Sequence, residues 1–191
     1  MKQIIKRGSF LTLMFLLLGC LSLYAADNDL ITEQINIKLE KAGTLPGRIG
    51  RIGSKYEITN LKIIGEINGT DLRMIREMAK GNSIDGKLCV LDLSEAKIVE
   101  GGDWYYHENF DNYYTHNDEI GGYAFRGCSG LRSLNLPDGI TSIGSWAFQG
   151  CSGLTSIYVC AEKVPEIGST VFEGVDAKKC TLYVPMGTRD N

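Results

Sequence analysis

Residues 124–136 read AFRGCSGLRSLNL and residues 147–159 read AFQGCSGLTSIYV. Phe125 corresponds to Phe148, Cys128 to Cys151, Leu131 to Leu154 and Leu134 to Ile157, each pair 23 residues apart. Apolar positions that recur with a period of about 20–29 residues leave a chain little choice. No single unit can bury its own apolar side, so the units stack as coils and equivalent side chains lie over one another. A third, degenerate copy follows as VFEGV at 171–175 and TLYVP at 181–185, with Val175 where a cysteine would stand. The 23 glycines among 191 residues supply the tight turns such coils require.

Upstream, the same inward leucines recur in a larger unit. ITNLKIIG (58–65) and KLCVLDLS (87–94) read as strands, and DLRMIREMAK (71–80) as a helix with Leu72, Ile75, Met78 and Ala79 on one face. Asn68-Gly69 predicts a turn, Thr70 an N-cap and Gly81 a left-handed stop. A helix joining two parallel strands makes a right-handed crossover, so this unit reads as an enlarged first coil that caps the stack. The segment 31–39 predicts a strand. The glycine-broken stretch that follows keeps Leu45, Ile49 and Ile52 between its breaks and is expected to be ordered. The fold class is therefore an α/β repeat: a short leucine-rich-repeat solenoid, mostly β coils, with an N-terminal strand–helix–strand cap.

Four segments result: a leader at 1–26, the cap at 27–99, an aromatic and acidic insertion loop at 100–120, and repeat coils at 121–191. The leader has Lys2, Lys6 and Arg7 ahead of an apolar run to Tyr24, then Ala25-Ala26 before Asp27, the order of an export signal. Leu17-Leu18-Gly19-Cys20 also fits a lipobox, which makes Cys20 a candidate lipidation site. Either processing, or an uncleaved anchor, exports the chain to the cell surface, the outer membrane or the medium. Loss of 1–26 removes three basic residues and no acid, taking the net charge from -3 to near -6. That acidity argues against nucleic acid or an anionic membrane as partner, and leaves the membrane reachable only through a lipid anchor. The equivalent Cys128 and Cys151 read as rungs of a buried thiol ladder. No capping helix follows the last coil before Asn191, so that coil is read as truncated, with Thr181–Val184 an open edge available for self-association.

The phrase AFxGCxxLxxLxLPxxIxxIGxxAF, together with LDLSEAKI (91–98) and CTLYVP (180–185), resembles the BspA-like leucine-rich-repeat family of Bacteroidetes surface proteins over roughly residues 43–185. The resemblance implies a surface-exposed solenoid that binds other macromolecules without catalysis.

In strands of Leu-x-Leu type, alternate side chains point away from the core. Asp92, Ser133, Asn135, Ser156, Tyr158 and Tyr183 are thus expected to line an outward ladder, a platform for protein or glycan surfaces. In the insertion, Trp104, Tyr105 and Tyr106 read either as anchors for a sugar ring or protein pocket, or as a local mini-core. Asp103, Asp111, Asp118 and Glu119 lack the spacing of a calcium loop, and His107 and His116 that of a zinc motif. No nucleophile elbow, phosphate loop or identifiable carboxylate dyad is present. The expected function is a non-catalytic, adhesin-like binding module needing no cofactor, directed at protein or glycan on a host or neighbouring cell surface. The alternative is an assembly piece whose open C-terminal edge docks another chain.

Overall fold

The computed structural model describes residues 30–52, 55–81 and 86–185. The leader at 1–26 and Cys20 lie outside them. The main sheet is parallel, built from β1 (Ile35–Leu39), β2 (Asn60–Ile67), β3 (Val90–Asp92), β8 (Ser133–Asn135), β10 (Ser156–Tyr158) and β12 (Thr181–Tyr183), in that spatial order. Strand neighbours in space are coil neighbours in sequence, so each coil adds one strand. β4 (Ala96–Ile98) also pairs with β2, beyond the bend at Leu93–Glu95. A second parallel ladder runs along the other side of the coils: β7 (Glu119–Ile120), β9 (Ser142–Ile143) and β11 (Glu166–Ile167).

The repeat phase is visible rung by rung. Leu61, Leu91, Leu134, Ile157 and Leu182 pair across the main sheet. Ile120, Ile143 and Ile167 pair across the second. Between the sheets, the rings of Phe125, Phe148 and Phe172 stack at 5.6 and 5.4 Å. Phe125 and Phe148 are fully buried, as are Cys128 and Cys151. The Cys151 thiol donates to the Phe125 carbonyl at 3.0 Å. Gly127, Gly150 and Gly174 form a rung of their own with φ near +73 to +80°. A side chain is strained in that left-handed region, which is why glycine recurs there in the phrase.

At the N-terminal side the chain departs from its sequence reading in two places. Leu45–Ile52 is a helix, α1, with Leu45 and Ile49 buried one turn apart. Its glycines hid it, and Pro46 is tolerated because first-turn amides have no helical partner. The second helix, α2 (Gly69–Ala79), is capped by Asn68 and not by Thr70. The Asn68 side chain accepts from the Thr70 amide at 3.1 Å, and the Asp71 carboxylate accepts from the Asn68 amide at 3.0 Å, closing a reciprocal box. Fully buried Asp71 also accepts from the amides of Gly43 and Leu45 at 2.5 and 2.9 Å, which ties the start of α1 to the start of α2. Gly81 ends the helix at φ +70° as expected.

The segment read as an insertion loop is a β-hairpin. β5 (Gly101–Glu108) and β6 (Asp111–Thr115) are antiparallel, with Tyr106 opposite Tyr113 and Glu108 opposite Asp111. Aromatic and β-branched cross-strand pairs stabilise such a ribbon, and this composition was legible as strand-forming. The hairpin lies along α2, where Gly69 admits the Asp103 carbonyl so closely that a Cβ would sit 1.9 Å from it. Among the described residues no helix is long and apolar enough to cross a membrane.

Two outcomes follow from the stacked interior. Phe148→Ala, which opens a gap between two rings, should lower unfolding free energy by about 3–5 kcal/mol. Phe172→Ala should lower it far less, since Phe172 is 37% exposed; urea titration of both variants measures the difference. Burial raises the Cys128 thiol to about 11 and drives Cys151 higher still. A thiol reagent at neutral pH should therefore modify exposed Cys160 first and reach Cys128 and Cys151 only on unfolding, as peptide mass mapping would record.

Candidate interaction surfaces

Two outward surfaces can meet a partner. The first is the outer face of the main sheet. Its rows run Asn60, Val90, Ser133, Ser156, Thr181 and, beside it, Asn36, Lys62, Asp92, Asn135, Tyr158, Tyr183. The sequence reading had the whole ladder pointing to solvent, and the structure corrects it. Ser133, Ser156 and Asp92 are buried. Strands about 4.8 Å apart leave little room over a short side chain once longer neighbours flank it. Asp92 is also turned to local work: its Oδ1 accepts from the Ser94 amide and hydroxyl at 2.9 and 2.6 Å, and Lys62 lies 3.3 Å from its other oxygen. Those bonds hold its carboxyl below the usual range against the opposing effect of burial. Asn135 and Tyr158 remain half-buried and Tyr183 exposed, with the Tyr158 and Tyr183 rings stacked at 4.4 Å.

The second surface is built where the hairpin meets the repeat coils. Tyr106, Tyr123 and Trp146 form a continuous stack, at 5.2 and 5.1 Å between centroids, and Tyr113 meets Tyr123 edge-on at 4.7 Å. All four rings are half-buried, so each presents an edge or face to solvent. Tyr123, Trp146 and Thr170 sit at equivalent places in three coils and share a left-handed backbone, φ +60, +57 and +53°. Trp104 is half-buried under the Arg73 guanidinium, 4.3 Å from its ring centroid. Tyr105, by contrast, points into the core, 3% exposed, and donates to the Gly122 carbonyl at 2.7 Å. Burial pushes its phenol far above the ordinary value. The run of three aromatics thus splits: two rings at the surface and one in the core.

Arginine side chains bolt the two parts together. Arg76, buried on α2, donates to the carbonyls of Tyr123, Ala124 and Arg126 at 2.6, 2.7 and 3.2 Å and lies over the Tyr106 ring. Arg126 donates to Glu108 Oε1 at 2.6 Å and to the Tyr106 hydroxyl at 2.9 Å, while that hydroxyl donates to Glu108 Oε2 at 2.7 Å. Between α2 and β5 a groove of about 290 Å³ is lined by Arg73, Arg76, Glu77, Lys80, Trp104, Tyr106 and His107. Among the described residues no three His, Cys, Asp or Glu side chains converge on one point.

Sequence reasoning missed Tyr113, Tyr123, Trp146, Arg73, Arg76 and Arg126 as parts of this surface. The signal for two of them was present, since Tyr123 and Trp146 occupy one repeat phase and one phase means one stack. The arginines carried no such signal, because they come from α2 and from a coil 50 residues later.

Residues 105–185 match the BspA-type leucine-rich-repeat region, in six copies. The matched span opens inside β5, so most of the hairpin falls within it and the strand–helix–strand unit before it does not. No curated protein matches the chain significantly.

The arginine bolts can be tested directly. Arg76→Met removes three donors and leaves the Ala124 and Arg126 carbonyls without them, and should cost about 3 kcal/mol with a loss of near-ultraviolet circular dichroism from the aromatic stack. Arg76→Lys should not restore the signal, since an ammonium lacks the planar fork. Glu108 has its carboxyl lowered first by the Tyr106 hydroxyl and then by Arg126. A group depressed in the folded state supports it above the ordinary carboxylate range and loses that effect as pH falls through the lowered value. The dichroism of the stack should therefore fade in acid, below about pH 4, and Glu108→Gln should remove that acid limb.

Proposed function

We propose, on the premise that residues 105–185 belong to the BspA-type leucine-rich-repeat family, that this protein is an exported, non-catalytic binding module of adhesin type. Leucine-rich repeats serve as protein-interaction modules, and the observation that carries the reading here is the half-exposed aromatic strip Tyr106–Tyr123–Trp146 held in register by the coils. Tyrosine and tryptophan offer large contact area at low conformational cost, and a rigid scaffold reduces what must be ordered on binding. The partner in this reading is protein or glycan on a host or neighbouring cell surface. It meets the strip, with Trp104 at one end, or the Asn135–Tyr158–Tyr183 face of the main sheet. The leader composition at 1–26 supports export, and the lipobox at Cys20 supports a lipid anchor, which mass spectrometry of the exported protein's N-terminus decides. The strand–helix–strand unit acts as the N-terminal cap, consistent with its buried helix face.

An array of extracellular-matrix proteins and glycans, probed with the exported chain, tests the reading. A specific ligand should be retained, and Tyr123→Ala combined with Trp146→Ala should weaken it by at least tenfold while Cys160→Ser leaves it unchanged. Absence of any ligand for clustered chain on the array would count against an adhesin.

A second reading has its own observation. In the last coil Ile167 is 55% and Leu182 53% exposed, whereas Ile120 and Ile143 on the one rung and Leu61, Leu91, Leu134 and Ile157 on the other are buried. Such an end, where β12 has no strand on its outer side among the described residues, is a template for another chain or a further coil. Leu182→Lys should abolish any association through that end, as solution mass would report.

A further inference from the structure

The tip of the hairpin is occupied by the residue least suited to it. Asn109 and Phe110 are the two central residues of the turn between β5 and β6, with φ +49 and +73°. Two-residue turns of this hand favour Asn-Gly, because the second position is strained for any side chain and most for a bulky one. Here it is phenylalanine, and its ring is 97% exposed, the most exposed large apolar side chain among the described residues. Neither the fold nor its core gains from the ring: it touches no buried cluster, and the backbone under it is strained. Strain that the fold does not need is a pointer to binding.

The surroundings of the ring limit its partner. Residues 100–120 carry Glu100, Asp103, Glu108, Asp111, Asp118 and Glu119 with no lysine or arginine, so the knob sits in negative potential and repels an anionic lipid surface. It fits an aromatic-walled pocket with a cationic rim. The groove between α2 and β5 has that character: about 290 Å³, walled by Tyr106 and by Trp104 with Arg73 over its ring, with exposed Lys80 and half-buried Arg73 against Glu77 at the rim and the buried Arg76 guanidinium adding its charge. Knob and groove share the hairpin: Tyr106 lies two residues, roughly 7 Å of strand, before the end of β5 at Glu108, and Phe110 is the second residue of the turn beyond it. Two hairpins laid antiparallel about a twofold axis with that overlap put each tip at the other's groove. Such a contact is self-complementary and closes as a dimer.

We infer that the hairpin is a self-recognition device, in which Phe110 of one copy enters the Arg73–Lys80–Trp104 groove of a second copy. The contact is independent of the open coil end; it shares Trp104 and Tyr106 with the aromatic strip, so a ligand held there competes with it.

Sedimentation velocity over a concentration series of the full exported chain tests this. The wild-type chain should show a reversible monomer–dimer equilibrium. Phe110→Gly should abolish it and, because glycine accepts the turn, raise the melting temperature of the monomer. Phe110→Ser should abolish it without that gain. Lys80→Glu and Asp111→Lys should each weaken the dimer at least tenfold, and together restore much of it. A wild-type chain that stays monomeric to its solubility limit overturns the inference. So does a dimer that survives Phe110→Gly, or one lost only with Leu182→Lys, which belongs to the coil end.

Discussion

Everything in this structure depends on equivalent side chains lying in register from coil to coil. A strand spacing of about 4.8 Å falls within the centroid separations of offset-stacked aromatic rings, so one phenylalanine per coil can stack on the next. Phe125, Phe148 and Phe172 do so within 5.6 Å. The rungs of leucine, cysteine and glycine beside them are consequences of the same register. A coil shifted by one residue would turn its entire apolar set to solvent.

The same register operates outside the core. Tyr123 and Trp146 are spaced like the phenylalanines, and their rings stack because the backbone beneath them repeats. The hairpin extends this outer stack by one ring, Tyr106, which is not in the repeat at all. What brings it there is charge and hydrogen bonding: Arg76 caps three carbonyls of the turn at 123–126, and Arg126 reaches back to Glu108. A surface of uniform chemistry is thus assembled from two physical sources, repetition on one side and arginine bridging on the other.

Much of the architecture was legible in the sequence. The period, the inward Leu-x-Leu positions, the buried Cys128 and Cys151, the α2 helix and its Gly81 stop are all local or repetitive features, and the structure has them. The α1 helix was not legible, since Pro46, Gly47 and Gly50 argue against a helix that tertiary packing of Leu45 and Ile49 nonetheless supports. Nor was the cap of α2, because Asn68 and Thr70 are both good capping residues, and the choice fell to Asp71 binding the distant Gly43–Leu45 loop. Alternation correctly put Asn135, Tyr158 and Tyr183 on the outer face, but says nothing of how deep a short side chain lies between its neighbours, and Ser133 and Ser156 are covered.

Periodicity, then, was enough to establish a stack of coils and which residues face its core, because burial of a repeated apolar pattern has only one economical arrangement. Depth, splitting and pairing were beyond it. Tyr105 went inward and Trp104 and Tyr106 outward because the segment is a strand whose side chains alternate, and which side faces the core was decided by packing on α2 and the bond to Gly122. Phe110 stands in solvent at the tip because the turn that joins β5 to β6 falls on it. These are outcomes of contacts between segments tens of residues apart, and their energies are of the same size as the local preferences they override.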